Sequence, residues 1–301
     1  MLSRGTVAIL TPRSGLGAFV LCIGLALSAF APLATGQFAS GVSLVEVYAS
    51  VLDAGGEPVT GLSADDFIVE EDGRRQQVQT FAASDFPLSL AIAVDRSFSV
   101  SQARLTLVVD AVQRLLGDLR DEDRVTLLAI GSEVEVLTPL STDHRAAYDA
   151  LTGLTPWGTT PLFDATTQAI ARVQEASGRR ALILVTDGDD RYSASTAAEM
   201  LVNARRHDVL VYPVSLRRTS PPVLVELAGV TGARATATPQ LDALPAALAS
   251  IARELRLQYL LGYVPSAAGS QPAGSQWRTI AVRVATPGVR VRAREGYYAG
   301  R

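Results

Sequence analysis

Three small side chains that carry oxygen stand at alternate positions where an apolar run ends. The stretch AIAVDRSFSV, residues 91–100, places an aspartate and two serines there, Asp95, Ser97 and Ser99. Carboxylate and hydroxyl oxygens, without nitrogen or sulfur, suit hard cations such as Mg²⁺, Mn²⁺ or Ca²⁺. This spacing indicates a candidate cation site.

Two further segments supply oxygen ligands of the same kinds. RALILVTDGDDR places Asp187 directly after another apolar run, with Asp189 and Asp190 just beyond, and TPWGTTPLFDAT offers Thr159 and Thr160 before an expected helix. Each feature alone has an ordinary structural explanation, because Asp-Gly is a common turn and Ser, Thr and Asp often cap helices. A site requires the fold to bring all three segments to one end of the same sheet.

The elements that position these segments alternate between strand and helix from residue 87. The apolar runs LSLAIAV, RVTLLAI, RALILVT and DVLVYPVSL are continuous, as expected for parallel strands covered on both faces. SQARLTLVVDAVQRLLGDL has apolar residues at helical spacing, and the capping-box pattern of Thr196 and Glu199 indicates the start of another helix. The segment EVEVLTPL predicts an antiparallel edge strand. The sequence therefore predicts a doubly wound, mostly parallel α/β sheet, in which ligands bind at the carboxyl ends of the strands.

Short β segments flank this region on both sides. The N-terminal segment contains a predicted hairpin turn at Asp72 and Gly73. The C-terminal segment predicts three strands, LQYLLGYVP and two more within WRTIAVRVATPGVRVRAREGYY, which a turn at Pro287 and Gly288 joins. The two segments either pair into one small sandwich, with the α/β domain inserted between them, or pack separately onto the sheet.

Composition excludes several classes of function. All 27 basic residues are arginines, so neither a phosphate-loop lysine nor a Schiff-base lysine exists. The formal charge of -3 and the lack of basic runs argue against nucleic acid as a partner. An apolar content of 48% is ample for a buried core.

Residues 1–36 have the pattern of an export signal, with arginines, then an apolar core, then a small-residue cleavage site. The alternative is an uncleaved anchor, since residues 15–34 are uncharged, and that segment would then be the chain's contact with the membrane. Cys22, the single cysteine, lies in this core. The mature chain is therefore expected to lack disulfides, thiol catalysis and cysteine zinc sites, and to be secreted or periplasmic.

Three motifs resemble the von Willebrand factor type A (VWFA) family. DRSFS is similar to its Asp-x-Ser-x-Ser signature, WGTTPLFDA to its Gly-x-Thr loop and LVTDGDD to its strand-end Thr-Asp-Gly segment. In the family these segments form the metal-ion-dependent adhesion site (MIDAS). The flanks PVTGLSADDFIVEEDG, YLLGYVP and VRVRAREGYY resemble those of a bacterial secreted VWFA-related group. The expected organisation is a signal peptide (1–36), an N-terminal β segment (37–85), a VWFA domain (86–256) and a C-terminal β segment (257–301).

The resemblance implies a role for each ligand residue. Ser97 and Ser99 would coordinate the metal, Thr160 would join them in the ligand-bound arrangement, and Asp95 and Asp187 would act mainly through waters and hydrogen bonds. If the GTT segment aligns one position earlier, Thr159 takes the role of metal ligand in place of Thr160. Neutral hydroxyl ligands leave a divalent cation undercompensated in charge, so an acidic side chain of a protein ligand would complete the coordination.

One position departs from the pattern of many bacterial relatives. Phe98 stands between the two serines, where those relatives carry glycine. This phenylalanine either shapes a ligand rim, to which Thr159, Asp189 and Asp190 are also assigned, or packs under its loop. Arg191 and Tyr192 could contribute to the same rim, with simple solvation of an exposed loop as the alternative.

The resemblance implies a non-enzymatic, cation-dependent module for adhesion or protein interaction. A metal-dependent hydrolase is one alternative, but it would need His144 or His207 as a base, and neither neighbours the site in sequence. A scaffold with an empty site that binds through its β segments is another.

Overall fold

In the computed structural model of the chain, the continuous apolar runs form strands and the segments with helical spacing form helices. The structure describes residues 44–83, 86–265 and 276–299. The predicted export signal lies outside the described residues. In the described part the strands are β1 (Val45–Leu52), β2 (Phe67–Glu71), β3 (Arg74–Gln76), β4 (Val78–Ala83), β5 (Leu88–Asp95), β6 (Arg124–Ile130), β7 (Val134–Ser141), β8 (Arg179–Thr186), β9 (Leu210–Ser215), β10 (Thr236–Ala237), β11 (Tyr259–Tyr263), β12 (Gln276–Val284), β13 (Arg290–Arg292) and β14 (Gly296–Ala299). The helices are α1 (Gln102–Gly117), α2 (His144–Ala150), α3 (Leu162–Val173), α4 (Ala197–Arg206), α5 (Pro222–Thr231) and α6 (Leu244–Arg256), with short 3₁₀ helices at Ala64–Asp66 and Leu241–Ala243.

Six of these strands form the central sheet, in the order β10-β9-β8-β5-β6-β7. Every neighbouring pair within this sheet is parallel except β6 and β7, which are antiparallel. All eight residues of β5 are buried, as expected for a strand that is covered on both faces. The predicted parallel strands and the predicted antiparallel edge strand are confirmed.

Helices cover both faces of the central sheet. Helices α1, α2 and α6 share a core with Leu90 and Ile92 of β5, whereas α3, α4 and α5 share the opposite core with Ala91 and Ala93. Alternate residues of a strand point to opposite faces, so one strand serves both cores. Each fully buried leucine, isoleucine or valine stabilises the fold by about 1.5–3 kcal/mol. The predicted doubly wound α/β architecture is confirmed, and no helix of the described residues is long and apolar enough to cross a membrane.

Two local predictions are also confirmed. Asp72 and Gly73 form the turn between the antiparallel strands β2 and β3, and both have positive φ. At the start of α4, the Thr196 hydroxyl accepts from the backbone N–H of Glu199 at 3.2 Å, while the Glu199 carboxylate accepts from the backbone N–H of Thr196 at 2.8 Å. This reciprocal capping fixes where α4 begins.

The two β segments share a pair of four-stranded sheets, β13-β1-β11-β4 and β14-β12-β2-β3. Each sheet takes strands from both segments, since β1 pairs with β11 and β2 pairs with β12. Apolar residues of the two sheets form one common core, which makes the pair a sandwich. Ala83 of β4 pairs with Tyr259 of β11, so the α/β part leaves and rejoins the sandwich through neighbouring strands.

The C-terminal segment contains four strands among the described residues, so the prediction of three was wrong. Strands β12 and β13 flank the turn at Pro287 and Gly288, but β13 pairs with β1 while β12 pairs with β2 and β14 in the other sheet. The run predicted as the last strand breaks at residues 293–295, where the chain crosses between the sheets. Alternation of side chains predicts a strand but does not specify its partner, so the crossing was not visible in the sequence.

Candidate metal-binding site

Asp95 ends β5 at the carboxyl edge of the central sheet and is only 1% exposed. Its Oδ1 accepts a hydrogen bond from the backbone N–H of Ser97 at 2.9 Å, and its Oδ2 accepts one from the Thr186 hydroxyl at 2.8 Å. Thr186 ends the neighbouring strand β8. The carboxylate therefore holds the loop after β5 (the first loop) against the end of β8.

Thr186 belongs to the site, although the resemblance of LVTDGDD to the Thr-Asp-Gly segment assigned no role to this threonine. Besides donating to Asp95, its hydroxyl accepts from the backbone N–H of Gly188 at 2.9 Å. The residue is fully buried, and a buried hydroxyl requires hydrogen-bond partners. The sequence signal that could have assigned Thr186 to the site is its position at the end of an apolar strand, directly before Asp187.

Ser97 and Ser99 bring their hydroxyls together in the first loop. The two Oγ atoms lie 2.8 Å apart. Ser97 is 2% exposed and Ser99 faces solvent. Adjacent oxygens of an octahedral Mg²⁺ shell, with bonds of 2.0–2.1 Å, lie about 3 Å apart. The spacing of the two hydroxyls is therefore close to that of neighbouring metal ligands.

The loop before α3 (the second loop) reaches the first loop through its backbone. The N–H of Phe98 donates to the carbonyl of Gly158 at 3.0 Å, and the N–H of Trp157 donates to the carbonyl of Arg96 at 2.6 Å. Gly158 has φ of 80°, and a Cβ at this position would lie 2.2 Å from the backbone nitrogen of Ser132. Only glycine fits such a close approach.

The second loop presents Thr160 and Thr159 in different surroundings. Thr160 is 2% exposed and Thr159 is half-buried. Within the described part of the chain, the Thr160 hydroxyl makes no hydrogen bond. Its carbonyl accepts from the backbone N–H of Arg191 at 2.7 Å, which ties the second loop to the loop after β8 (the third loop). The backbone thus fixes Thr160 between its neighbours and leaves its hydroxyl without a partner there.

The third loop carries the remaining predicted aspartates. Asp189 forms an ion pair with Arg217 at 2.5 Å, and Asp190 Oδ1 accepts from the backbone N–H of Phe163 at 3.1 Å, at the start of α3. Asp187 is half-buried, and among the described residues its carboxylate has neither a hydrogen bond nor an ion pair. Asp189 and Asp190 therefore have protein partners, whereas Asp187 keeps its carboxylate available.

The first loop, the second loop and the start of the third loop fall within a range that a known family matches. Residues 90–189 match the family of von Willebrand factor type A domains. The chain contains a VWFA domain. Domains of this family are protein-interaction modules. A search of curated proteins gave no match to the chain.

Solved structures with the same fold include other VWFA proteins. A von Willebrand factor type A protein from Catenulispora acidiphila is 12% identical with a TM-score of 0.52, over 87% of this chain and 76% of that chain. Proximal thread matrix protein 1 of the mussel byssus is 15% identical with a TM-score of 0.50, over 60% of this chain and 48% of that chain. The same mussel protein is also known with a zinc-occupied MIDAS motif (14% identity, TM-score 0.49, over 62% and 49% of the two chains). At these identities the likeness concerns the fold.

The VWFA loops bring a second carboxyl group, that of Asp187, near the buried Asp95. Burial raises the pKa of Asp95, hydrogen bonds from Ser97 and Thr186 oppose the rise, and the nearby Asp187 carboxylate adds to it. Among the described residues, Asp95 forms no ion pair with an arginine. A buried carboxylate next to a second carboxylate is unfavourable without a positive charge. A divalent cation at this point would compensate both groups.

The donor set of the VWFA loops fits a hard cation. The described residues contain no group of three or more His, Cys, Asp or Glu side chains placed to hold a metal. The ligands available at the loops are hydroxyls and carboxylates, those of Asp95, Ser97, Ser99, Thr160 and Asp187. A set of oxygens alone favours Mg²⁺, Mn²⁺ or Ca²⁺ over the softer metals.

Phe98 points away from the body of the VWFA domain. The residue is 72% exposed, so its ring is not packed beneath the first loop. Of the two roles expected for this phenylalanine, the exposed position favours the rim.

Both histidines lie away from the VWFA loops. His144 Nε2 is 2.8 Å from the carbonyl oxygen of Asp123, which directly precedes β6. His207 ends α4, shortly before β9 begins. Both positions are near the amino ends of the strands, at the opposite edge of the sheet from Asp95. Neither imidazole is placed to act on a ligand of the three loops.

Proposed function

We propose that this protein is an exported VWFA module that binds a protein ligand through a divalent cation, Mg²⁺ or in its place Mn²⁺ or Ca²⁺. The cation is held at the loops by Asp95, Ser97, Ser99, Thr160 and Asp187. When bound, it supplies a Lewis-acidic position for a carboxylate of the partner. The role in adhesion or interaction is one of binding, since both histidines lie at the other edge of the sheet.

One observation carries the proposal. The buried carboxylate of Asp95 lies near that of Asp187 and forms no ion pair with the described residues, and the hydroxyls of Ser97 and Ser99, 2.8 Å apart, stand beside it. Protein interiors rarely leave a buried charge without a counter-charge. A bound cation would supply that counter-charge, and the oxygens present suit it.

The chemistry of the ligands determines the kind of partner. Ser97, Ser99 and Thr160 are neutral, so they leave most of the cation's charge uncompensated. Asp95 already accepts hydrogen bonds on both carboxylate oxygens, which favours a role through hydrogen bonds and waters over direct coordination. An acidic side chain of a protein ligand would then complete the coordination shell.

The wider organisation belongs to the same proposal. Residues 1–36 serve as the export signal, 86–256 as the VWFA domain, and 37–85 and 257–301 as the flanking β segments, with the mature protein secreted or periplasmic. The shared sheets of the sandwich support the pairing of the two flanks. If the signal is not cleaved, it anchors the module to the membrane.

Calorimetric titration of chelator-treated protein with Mg²⁺, Mn²⁺ and Ca²⁺ tests the metal site. We expect saturable binding of one ion per chain to the wild type and none to Asp95→Ala. The exposed aspartate of Asp110→Ala, on α1, gives a matched control that should bind like the wild type. Equal binding by Asp95→Ala and wild type, with both variants folded by circular dichroism, would refute the proposal.

A further inference from the structure

Each of the three loops carries an exposed aromatic side chain. Phe98 of the first loop is 72% exposed, Trp157 of the second is 42% exposed and Tyr192 of the third is 82% exposed. We call these three residues the aromatic rim. Large exposed aromatic side chains that cluster are a mark of interaction surfaces, whereas single ones are ordinary.

The backbone contacts between the loops hold the aromatic rim together. Phe98 donates its N–H to Gly158, the residue after Trp157. Tyr192 follows Arg191, whose N–H donates to the carbonyl of Thr160 at 2.7 Å. Phe98 therefore lies between two predicted metal ligands, Tyr192 follows a residue that contacts Thr160, and Trp157 lies three residues before Thr160.

Two members of the rim lack aromatic or cationic neighbours. In the described residues, neither the Phe98 ring nor the Tyr192 ring lies against another aromatic ring or an arginine. Trp157 differs, because the Arg96 guanidinium lies 5.3 Å from its ring centroid. The rings of Phe98 and Tyr192 thus offer faces that the described residues leave uncovered.

Tyr192 is held in a conformation that tyrosine seldom adopts. Its φ is 75°, in the left-handed region that glycine and asparagine tolerate best. Such strain persists where the surrounding structure imposes it, and it is common at binding sites. Here it directs a nearly fully exposed ring from a loop that is otherwise fixed by hydrogen bonds.

The neighbouring charge favours an acidic partner. Arg191 is exposed, and in the part of the chain that the structure describes its guanidinium forms no ion pair. Together with a bound cation, this arginine would complement a negatively charged ligand.

We propose that the aromatic rim selects the partner: a protein segment in which an acidic residue is flanked by apolar or aromatic residues. This inference rests on the proposed function, because the acidic residue would ligate the cation. The flanking apolar side chains would then lie on the rings of Phe98, Trp157 and Tyr192. Aromatic side chains of this kind contribute strongly to binding when an interface covers them.

Short synthetic peptides provide the test, measured by interferometry on the full chain in Mg²⁺ and in chelator. One peptide has a central aspartate with Leu, Phe and Pro flanks, a second has Ser and Gly flanks, and a third has the apolar flanks around a central asparagine. We expect the first to bind in Mg²⁺ about tenfold more tightly than the second, and the third not to bind. The double variant Phe98→Ser and Tyr192→Asn should remove the preference for apolar flanks, while Tyr148→Ser, an exposed aromatic on α2, should retain it.

The outcomes separate the rim from the metal site. The selective role of the aromatic rim would be overturned if both aspartate peptides bound with equal, metal-dependent affinity. It would also be overturned if the double variant kept the preference for apolar flanks. Either result would leave the proposed function standing. Binding of the metal with no binding of any peptide would also overturn the selective role of the rim. Failure to bind metal at all would refute both proposals. Chelator-insensitive binding to phosphatidylglycerol vesicles, lost in the double variant, would show that the rim meets lipid and would overturn the peptide inference.

Discussion

In the proposed metal site, individual hydroxyl and carboxylate oxygens would decide what the three loops bind. Ser97 and Ser99 point to a common place because the first loop turns tightly after Asp95, whose carboxylate accepts the N–H of Ser97 at 2.9 Å. Thr160 reaches the same region from another loop, fixed by its carbonyl. Each of these positions depends on one or two hydrogen bonds, so single substitutions can separate their roles.

The two adjacent threonines give a matched pair for testing the second loop. Thr160→Val removes the buried hydroxyl and keeps the side-chain shape, so we expect the affinity for Mn²⁺, measured by calorimetry in excess acetate as a minimal carboxylate, to fall by about tenfold or more. Thr159→Val should change this affinity little. The reverse ranking would transfer the ligand role to Thr159.

Some of these residue roles could be predicted from the sequence and others could not. Asp95 and Asp187 follow continuous apolar runs, and such runs locate the ends of buried strands, so their place at the sheet edge was predictable. The contact of Asp190 with the start of α3 depends on how two distant loops meet. Tyr192 was already a candidate for the rim, but the degree to which its ring is exposed depends on tertiary structure, which local patterns do not encode.

At the scale of elements, the contacts of Asp123 hold the edge of the sheet opposite the site. Asp123 is fully buried just before β6, and it accepts from the backbone N–H groups of Leu88, at 2.9 Å, and Arg120, at 2.8 Å. Its carboxylate also pairs with Arg256 at the end of α6. This one side chain joins β5, the loop after α1 and α6.

Acid should weaken this junction. Burial raises the pKa of Asp123, but hydrogen bonds from Arg256, Leu88 and Arg120 outweigh it and hold the pKa below its ordinary value. A lowered pKa in the folded state means that the carboxylate stabilises the fold fully above about pH 4 and loses this contribution as pH falls through the lowered value. We expect Asp123→Asn to reduce the free energy of unfolding at pH 7 by about 3 kcal/mol, and to flatten its loss in acid.

Urea unfolding of wild type and variant between pH 7 and pH 2.5 measures both effects. Asp118→Asn, an exposed aspartate on the same loop, is the control and should follow the wild type. Curves of stability against pH that stay parallel for Asp123→Asn and wild type would show that the junction does not depend on this carboxylate.

The strands and helices with a strong local sequence pattern were predicted correctly, and the one wrong prediction, in the C-terminal segment, has a physical cause. Continuous apolar runs and three-four spacing predict buried strands and amphipathic helices directly. The C-terminal run instead divides into β13 and β14 because the chain crosses from one sheet of the sandwich to the other. Pairing partners in a sandwich are distant in sequence, and no local pattern encodes them.

In the molecule as a whole, the α/β part and the sandwich meet where the chain crosses between the two sheets. Gly232 ends α5 with φ of 84°, and a Cβ there would lie 2.5 Å from the backbone of Ala293 and Arg294. The crossing that the sequence did not predict is therefore packed directly against a helix of the VWFA domain. The inserted domain and the sandwich are in contact at backbone level.

Two glycines, Gly229 within α5 and Gly232 directly after it, test this contact. Gly232→Ala should destabilise the protein by about 2 kcal/mol or more, because it adds both backbone strain and a clash. Gly229→Ala lies within the helix with open space at its Cβ, so it should stabilise by about 0.5–1 kcal/mol. Thermal unfolding compares them, and equal effects of the two substitutions would contradict the close contact.

Anomalous diffraction from crystals grown with Mn²⁺ tests the metal site most directly. We expect a single strong peak at the carboxyl edge of the central sheet, about 2.0–2.2 Å from both Ser97 Oγ and Ser99 Oγ. Crystals of Asp95→Ala should lack it. A peak held by other residues, or no peak at saturating Mn²⁺, would contradict the central claim that these loops bind a cation.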